Sequence, residues 1–304
     1  MFQAVALRDD KVGYKLHNHD LPKDYTTEII PFLPEVATKE VEFVKYISKF
    51  THISGNIIIK LARSDGFDPF GRPKSMSYSL LIPPEEYNMN NLYYYASPLI
   101  YSEKFSMGEK DTINETEIEL LTENDFKKKK IEILDVIPIS KLREIIVAAM
   151  IEPKVIIKPG LDLEKLIALA SVIDKAIPFE ASYDFSLITY ADKSCKKYLL
   201  HNVIYFFSKQ KQNEETVEIA NKKSAIVKIA KNEAEYLDEY INLIIKEDYE
   251  KLLSEHAKWV IGMYYQQHKE LQQAFTKRYQ LDMPFSRRNK FHAKFVEKMS
   301  KLLK

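Results

Sequence analysis

The stretch from Asp65 to Arg72 gathers acidic, aromatic, glycine and arginine residues within eight positions, as DGFDPFGR. Its carboxylates, Asp65 and Asp68, could hold a cation, but the D-x-D-x-D-G spacing of a calcium loop is absent. Arg63 and Arg72 bracket the stretch, and the guanidinium fork of arginine suits phosphate or carboxylate geometry. We expect these two carboxylates and two arginines to form a partner-binding site. A turn cluster that joins two core strands is the interpretation that the residues of this stretch favour by themselves.

A second charged region lies at the end of the chain. The last 29 residues hold nine basic and two acidic side chains, and their spacing predicts an amphipathic helix over residues 285–303. Such a helix could bind nucleic acid, an anionic membrane surface or an acidic partner. A solvated helix docked through its apolar side explains the charge as well, because helix ends favour lysine. The residues that would contact phosphate groups are Arg287, Arg288, Lys290, Lys294 and Lys298.

Candidates for metal binding and nucleophilic catalysis are few. His17 and His19 stand two positions apart, and alternate residues of a strand project to one face, so two imidazoles with Asp20 could form an open metal site. The other histidines are scattered singly, and we favour a turn here, with no metal ligands and no cofactor. Cys195, the single cysteine, has no partnered histidine and excludes an intramolecular disulfide. We assign no catalytic residues, and the residues favour a protein that is not an enzyme.

Glycine is scarce in this chain. Seven of the 304 residues are glycine, where about 21 would be usual. Neither GxGxxG nor GxxxxGK[ST] occurs, and glycine is what lets a backbone approach a pyrophosphate closely. These counts argue against a dinucleotide-binding fold, a P-loop NTPase and a protein kinase. Lysine dominates arginine by 38 to seven, which is compatible with a thermophilic source or with an AT-rich genome.

The elements that must position these residues divide into three predicted units, which together give an α+β fold. Residues 1–135 are predicted to form a mixed α/β sheet domain and residues 136–207 a small α/β domain. Residues 222–304 are predicted to form a helical C-terminal domain that ends in the basic helix. The polar residues 208–224 are predicted to be an exposed connection.

Several element boundaries are specific enough to compare with a structure. Apolar runs predict strands at 55–63 and 76–82, the first of them central in its sheet. Helical spacing predicts a helix over 37–50. Ser140 and Asp162 are predicted to cap the helices that follow them.

No membrane-spanning or secretory segment is predicted. The longest apolar run is IIVAAMI at 145–151, which is too short to cross a bilayer. The N-terminus, MFQAVALRDD, is charged too soon for a signal peptide. We therefore expect a cytoplasmic protein.

Three parts of the chain carry a family resemblance. The segment KLARSDGFDPFGRPKSMSYSLLIPPEEY, at 60–87, resembles the strand, D-x-x-GRP-like turn and strand of the N-terminal domain of the bacterial GTPase-associated protein family. Upstream, VGYKLHNHDLP lies where that family has its Gly-His-rich turn. Residues 143–191 are similar to the middle domain, with SYDFSLITYA at the position of its "SFSTYA" strand. The similarity covers roughly residues 1–205, although Lys74 and Glu180 replace a glycine and an arginine usual in the family.

The resemblance implies a non-catalytic, multidomain adaptor associated with a small Ras-like GTPase. Its N-terminal domain would be akin to longin and DENN-type modules. The leading hypothesis is therefore an interaction protein that binds such a GTPase or a related signalling or defence partner. Were it an activator, Arg63 or Arg72 would be the candidate arginine finger. The alternative is a nucleic-acid-binding protein that uses the basic C-terminal helix.

Overall fold

The computed structural model describes fourteen segments of the chain, which are residues 2–9, 13–19, 45–51, 57–67, 70–71, 73–83, 86–87, 92–101, 132–159, 161–178, 186–189, 203–206, 217–219 and 222–278. In these segments the chain forms one mixed sheet and a set of α-helices. The described residues thus have a mixed α+β fold.

Nine strands build the sheet in the described segments. They are β1 (Phe2–Asp9), β2 (Gly13–His19), β3 (Lys45–Thr51), β4 (Ile57–Phe67), β5 (Pro73–Ile82), β6 (Val155–Pro159), β7 (Ser186–Ile188), β8 (Val203–Phe206) and β9 (Val217–Ile219). Their order across the sheet is β2-β1-β5-β4-β3-β7-β8-β6-β9. The pairs β7–β8 and β8–β6 are parallel, and the other neighbours are antiparallel.

The helices lie mainly in the second half of the described chain. They are α1 (Leu92–Tyr101), α2 (Ile133–Val136), α3 (Ile139–Ile151), α4 (Leu163–Ala176), α5 (Ser224–Asn232), α6 (Ala234–Ile245), α7 (Tyr249–Ile261) and α8 (Lys269–Arg278). A short 3₁₀ helix at Met263–Tyr265 links the last two. Asp162 caps α4 as predicted, because its Oδ1 accepts a hydrogen bond from the Lys165 backbone N–H at 2.9 Å.

The strand predictions for the first half of the chain are confirmed. β4 and β5 pair antiparallel, and β4 lies between β5 and β3, so it is an interior strand as its nearly continuous apolar run indicated. The prediction of a helix over 37–50 is wrong for residues 45–50, because β3 occupies 45–51 and pairs with β4 along its whole length. Residues 37–44 lie outside the described residues.

Two other local predictions fail for identifiable reasons. Ser140 does not cap α3: the helix begins one residue earlier, at Ile139, and Pro138 occupies the N-cap without a side-chain hydrogen bond. Proline is tolerated there because it donates no N–H and its fixed φ suits a helix entry. The connection predicted over 208–224 contains a strand, since β9 pairs antiparallel with β6.

Both faces of the central strands are buried. Ile57, Ile59 and Leu61 of β4 belong to the main apolar core, which continues through α1, α3, α4, α6 and α7. Helix α4 contributes an apolar stripe to that core, formed by Leu166, Ile167, Ala170 and Ile173. On the other face of β4, Ile58 and Lys60 are also buried. The apolar side chains of Leu253, on α7, and Met263, in the 3₁₀ helix, are exposed.

The sheet crosses the boundary placed at residues 135/136. Strand β3 of the first predicted unit pairs with β7 of the second through Ser48 with Ile188 and Lys49 with Leu187. The division into three domains stays a prediction, and strands from the first two units share one sheet.

Candidate functional site

The predicted partner-binding residues belong to the hairpin β4–β5. Arg63 and Asp65 lie on β4, which continues to Phe67 instead of turning at Asp65, and a register shift falls between Ser64 and Phe67. Between Phe67 and Pro73 the structure describes Phe70 and Gly71, and Asp68 and Arg72 lie outside the described residues.

The tip of this hairpin presents an aromatic side chain to solvent. Phe70 is 77% exposed, and Gly71 beside it has φ +72°, in the left-handed region that favours glycine. No atom lies within 4 Å of the position that a Cβ on Gly71 would occupy. The left-handed backbone conformation therefore favours glycine at this position, whereas the surroundings would leave room for a larger side chain.

The remaining predicted candidates are only partly covered. Arg287, Arg288, Lys290, Lys294, Lys298 and Cys195 lie outside the described residues. His17 and His19 occupy alternate positions of β2, so the turn favoured there is wrong and the segment is a strand. Among the described residues, no group of three or more His, Cys, Asp or Glu side chains is placed to hold a metal ion.

A cleft that the sequence did not indicate lies between α1, α2, α4 and the turn from α6 to α7. We call it the α4 cleft; it is partly open and holds about 440 Å³ of space, including its mouth. The lining residues are Tyr93, Glu132, Ile133, Ala168, Ser171, Val172, Lys175, Ile244, Ile245, Glu247 and Tyr249.

Helix α4 forms the floor of the α4 cleft. Three buried side chains from other segments fix its C-terminal end. The Tyr87 hydroxyl donates to the Asp174 carboxylate. The Tyr240 hydroxyl donates to the Ala176 carbonyl at 2.6 Å. His256 Nε2 lies 3.1 Å from the Lys175 carbonyl. The contacts of Tyr240 and His256 satisfy carbonyls that a helix end leaves without intrahelical partners, and all three contacts hold α4 in one position.

The protonation states of two of these groups follow from burial. Burial, aided by the Lys175 ammonium, lowers the pKa of His256 from 6.5 to about 3, so the imidazole is neutral near pH 7. Because a carbonyl can only accept, Nε2 of His256 carries the proton. Burial and the Asp174 carboxylate raise the pKa of Tyr87, which keeps its hydroxyl protonated and able to donate.

One backbone residue at the cleft is conformationally strained. Glu247 has φ +56° and is, among the described residues, the one non-glycine residue with positive φ. It follows the C-cap of α6, where its N–H bonds to the Ile244 carbonyl at 3.2 Å and the Asp248 N–H to the Leu243 carbonyl at 3.1 Å. This is the Schellman pattern, whose left-handed position is usually glycine. A glutamate there costs roughly 1–2 kcal/mol relative to glycine, and strained residues of this kind cluster at functional sites.

A polar and aromatic network joins the helices beyond the cleft. Glu255 accepts hydrogen bonds from the hydroxyls of Tyr264 and Tyr236, and the Tyr236 hydroxyl accepts from Trp259 Nε1 at 2.7 Å. His268 Nδ1 lies 2.6 Å from Glu233 Oε2, and its ring centroid is 4.2 Å from that of Tyr236. Burial and the bond to Glu255 raise the pKa of Tyr264. These contacts tie α6 and α7 to the segment that links α7 to α8, so their role is structural.

Lys60 is the most unusual ionisable group in the described part of the sheet. Its side chain is 0% exposed, and its Nζ has no hydrogen-bond partner among the described residues. It stands opposite Ser79 of β5, and the hydroxyl of nearby Ser77 also has no partner there. Burial lowers the pKa of Lys60 from 10.5 to about 7. An unpaired buried amine destabilises the fold.

The sequence contains a signal for the buried Lys60 but none for the α4 cleft. Lys60 interrupts an otherwise apolar run, IIIKLA, and that interruption could have marked it. The α4 cleft had no such signal, because Tyr93, Ser171 and Glu247 come together only in the folded chain.

Among the described residues, no helix has the length and apolar character to cross a membrane. Comparisons with protein-family models, with curated proteins and with solved structures found no match.

Proposed function

We propose that this chain is a non-catalytic adaptor that binds a small Ras-like GTPase, or a related signalling partner, through the tip of the hairpin β4–β5. The observation that carries the proposal is the 77% exposure of Phe70 at that tip, beside the left-handed Gly71. Aromatic residues, phenylalanine included, and arginine are enriched in protein interfaces relative to the rest of the surface. Arg63, Asp65, Asp68 and Arg72 would surround Phe70 in the contact.

The partner class rests on the sequence resemblance. The segment 60–87 that resembles the GTPase-associated family contains this hairpin. The scarcity of glycine argues that any nucleotide belongs to the partner. In the proposed protein the first unit is a longin-like domain, the second a small α/β domain and the third a helical domain, and the protein acts in the cytoplasm, where Ras-like GTPases signal.

Binding to purified GTPases tests the proposal. The small Ras-like GTPases of the source organism, loaded with GDP or with a non-hydrolysable GTP analogue, are titrated against the full chain by biolayer interferometry. We expect one of them to bind, and Phe70→Ala to weaken that binding at least tenfold, about 1.4 kcal/mol. Met263→Ala is the matched control, since Met263 is exposed on a different part of the chain. Equal binding by both variants, or no binding to any GTPase, contradicts the proposal.

A hydrolysis assay separates an adaptor from an activator. An arginine finger accelerates GTP hydrolysis by about 10³–10⁵, and Arg63 and Arg72 are the candidates. We expect the wild-type chain to leave single-turnover hydrolysis by the bound GTPase unchanged. A large acceleration that either Arg63→Ala or Arg72→Ala abolishes would make the protein an activator instead.

A further inference from the structure

The C-terminal end of α4 is the place where three other segments of the chain meet. Its residues 174–176 bond to Tyr87 before α1, to His256 of α7 and to Tyr240 of α6. Of these three partners, His256 is the one whose ring, with an ordinary pKa of 6.5, takes up a proton in mildly acidic water. The attachment of α7 to α4 therefore depends on a group that acid can charge.

Two of the contacts between α7 and the end of α4 use Lys175. His256 Nε2 lies 3.1 Å from the Lys175 carbonyl oxygen. The Lys175 ammonium lies 5.3 Å from the ring centroid of Tyr249. Tyr249 is the first residue of α7 and His256 follows it by two helical turns, so both side chains lie on one face of that helix. One face of α7 is thus held by one residue of α4.

The surroundings of His256 do not accommodate a second proton on its ring. The residue is 4% exposed, and its Nδ1 has no hydrogen-bond partner among the described residues. The proton on Nε2 is already donated to the Lys175 carbonyl. Protonation of Nδ1 would therefore bury a charge together with an unpaired N–H, and both are unfavourable.

Among the described residues, no group that faces His256 offers a negative charge to a protonated ring. Lys175 of α4 is itself positive, and Tyr240 of α6, with its ring centroid 6.2 Å away, is a neutral phenol because burial raises its pKa. The carboxylates closest in sequence, Asp174 and Glu255, accept hydrogen bonds from tyrosine hydroxyls. Burial and Lys175 thus hold the pKa of His256 at about 3 while the ring stays in place.

We propose that the contact between α7 and the C-terminal end of α4 is an acid-sensitive latch. Near pH 7 the neutral ring of His256 donates to the Lys175 carbonyl and holds α7 in place. In acid the ring gains a proton when it leaves that carbonyl and reaches water, so low pH favours a state in which α7 has separated from α4. Because Lys175 and Tyr249 line the α4 cleft, this separation widens the cleft on the side of α7.

Hydrogen exchange of the full chain, followed by mass spectrometry between pH 7.5 and pH 5, measures the latch. Each exchange rate is divided by the intrinsic rate at the same pH, which gives the opening constant of each helix. The ring has a pKa of 6.5 in water and of about 3 in place, so the opening constant of α7 should be about 30-fold larger at pH 5 than at pH 7.5. The amides of α3, a buried helix elsewhere in the core, should change much less.

Two variants assign the effect to one ring. His256→Gln keeps an N–H that can donate to the Lys175 carbonyl but does not titrate, so α7 should show no such rise in acid. His268→Gln is the matched control, because His268 bonds to Glu233 in the segment between α7 and α8, and it should keep the rise.

The wild-type protein gives a second measurement that does not depend on a variant. Below about pH 6 the opening constant of α7 should increase about tenfold per pH unit, which corresponds to one proton taken up on opening. The proposal is overturned if α7 shows no increase, if α3 and the other described helices open to the same extent as α7, or if a folded His256→Gln protein keeps the increase.

Discussion

Replacing Lys60 by methionine should stabilise the protein. Methionine keeps the length and flexibility of the side chain but carries no charge, so it removes the cost of burying the amine while it fills the same space. In the native state Lys60 is fully buried and its Nζ has no hydrogen-bond partner within the described segments. We therefore expect Lys60→Met to raise the free energy of unfolding at pH 7.

The size and the pH dependence of this gain follow from the pKa of Lys60. Its value falls from 10.5, which also describes the unfolded chain, to about 7 in the folded state. At about 1.36 kcal/mol per pH unit, this difference gives a maximum of about 5 kcal/mol, and about 4 kcal/mol at pH 7. Between pH 7 and 10.5 the unfolded state binds more protons, so the wild-type protein becomes more stable as pH rises. The advantage of Lys60→Met should therefore shrink to below about 1 kcal/mol near pH 10.5.

Urea unfolding followed by circular dichroism measures this difference. Wild type and Lys60→Met are compared at several values between about pH 7 and pH 10, so that titrations common to both proteins cancel. Lys231→Met is the control, because Lys231 is exposed on α5 and should change stability by less than about 0.5 kcal/mol. A Lys60→Met protein that is less stable than wild type at pH 7, or whose advantage does not fall with pH, refutes the reasoning.

Three further predictions follow from local contacts and from the charge of the C-terminus. Tyr240→Phe should cost roughly 1–3 kcal/mol in urea unfolding, because the buried carbonyl of Ala176 loses its donor. Gly262→Ala should cost about 1–2 kcal/mol, since Gly262 has φ +77° and a Cβ there would lie 3.1 Å from Tyr265 Cε2; an unchanged melting temperature would contradict this. If the basic helix binds nucleic acid, the affinity for mixed RNA or DNA should fall steeply with salt and vanish on deletion of residues 285–304, whereas indifference to the deletion counts against that function.

The parts of the fold that could be predicted depend on local signals. Long apolar runs predict β4 and β5, because strands buried on both faces need apolar residues at nearly every position. The cap at Asp162 was predictable for the same kind of reason, since a carboxylate satisfies a free N–H within its own turn.

The features that were predicted wrongly or missed share one physical cause. Contacts with residues that are distant in sequence decide which of the locally possible structures forms. The apolar residues of β3, which are Tyr46, Ile47 and Phe50, have helical spacing, but pairing with β4 on one side and β7 on the other selects the strand. The α4 cleft needs α1, α4 and the turn after α6 in their final positions, so no segment of sequence contains it. Lys60 could have been identified from the sequence, because it places a charged residue inside an apolar strand.

The pairing of β3 with β7 has a mechanical consequence. Within the described residues, strand β3 bonds to β4 over seven residues, Lys45–Thr51, but it meets β7 at just two, Ser48 and Lys49. Under a force that pulls the two edges of the sheet apart, load would concentrate at this short seam, and rupture should begin there. The packing of α1 against α4 and the bond from Tyr87 to Asp174 span the same gap, so they would carry the tension once the seam has opened.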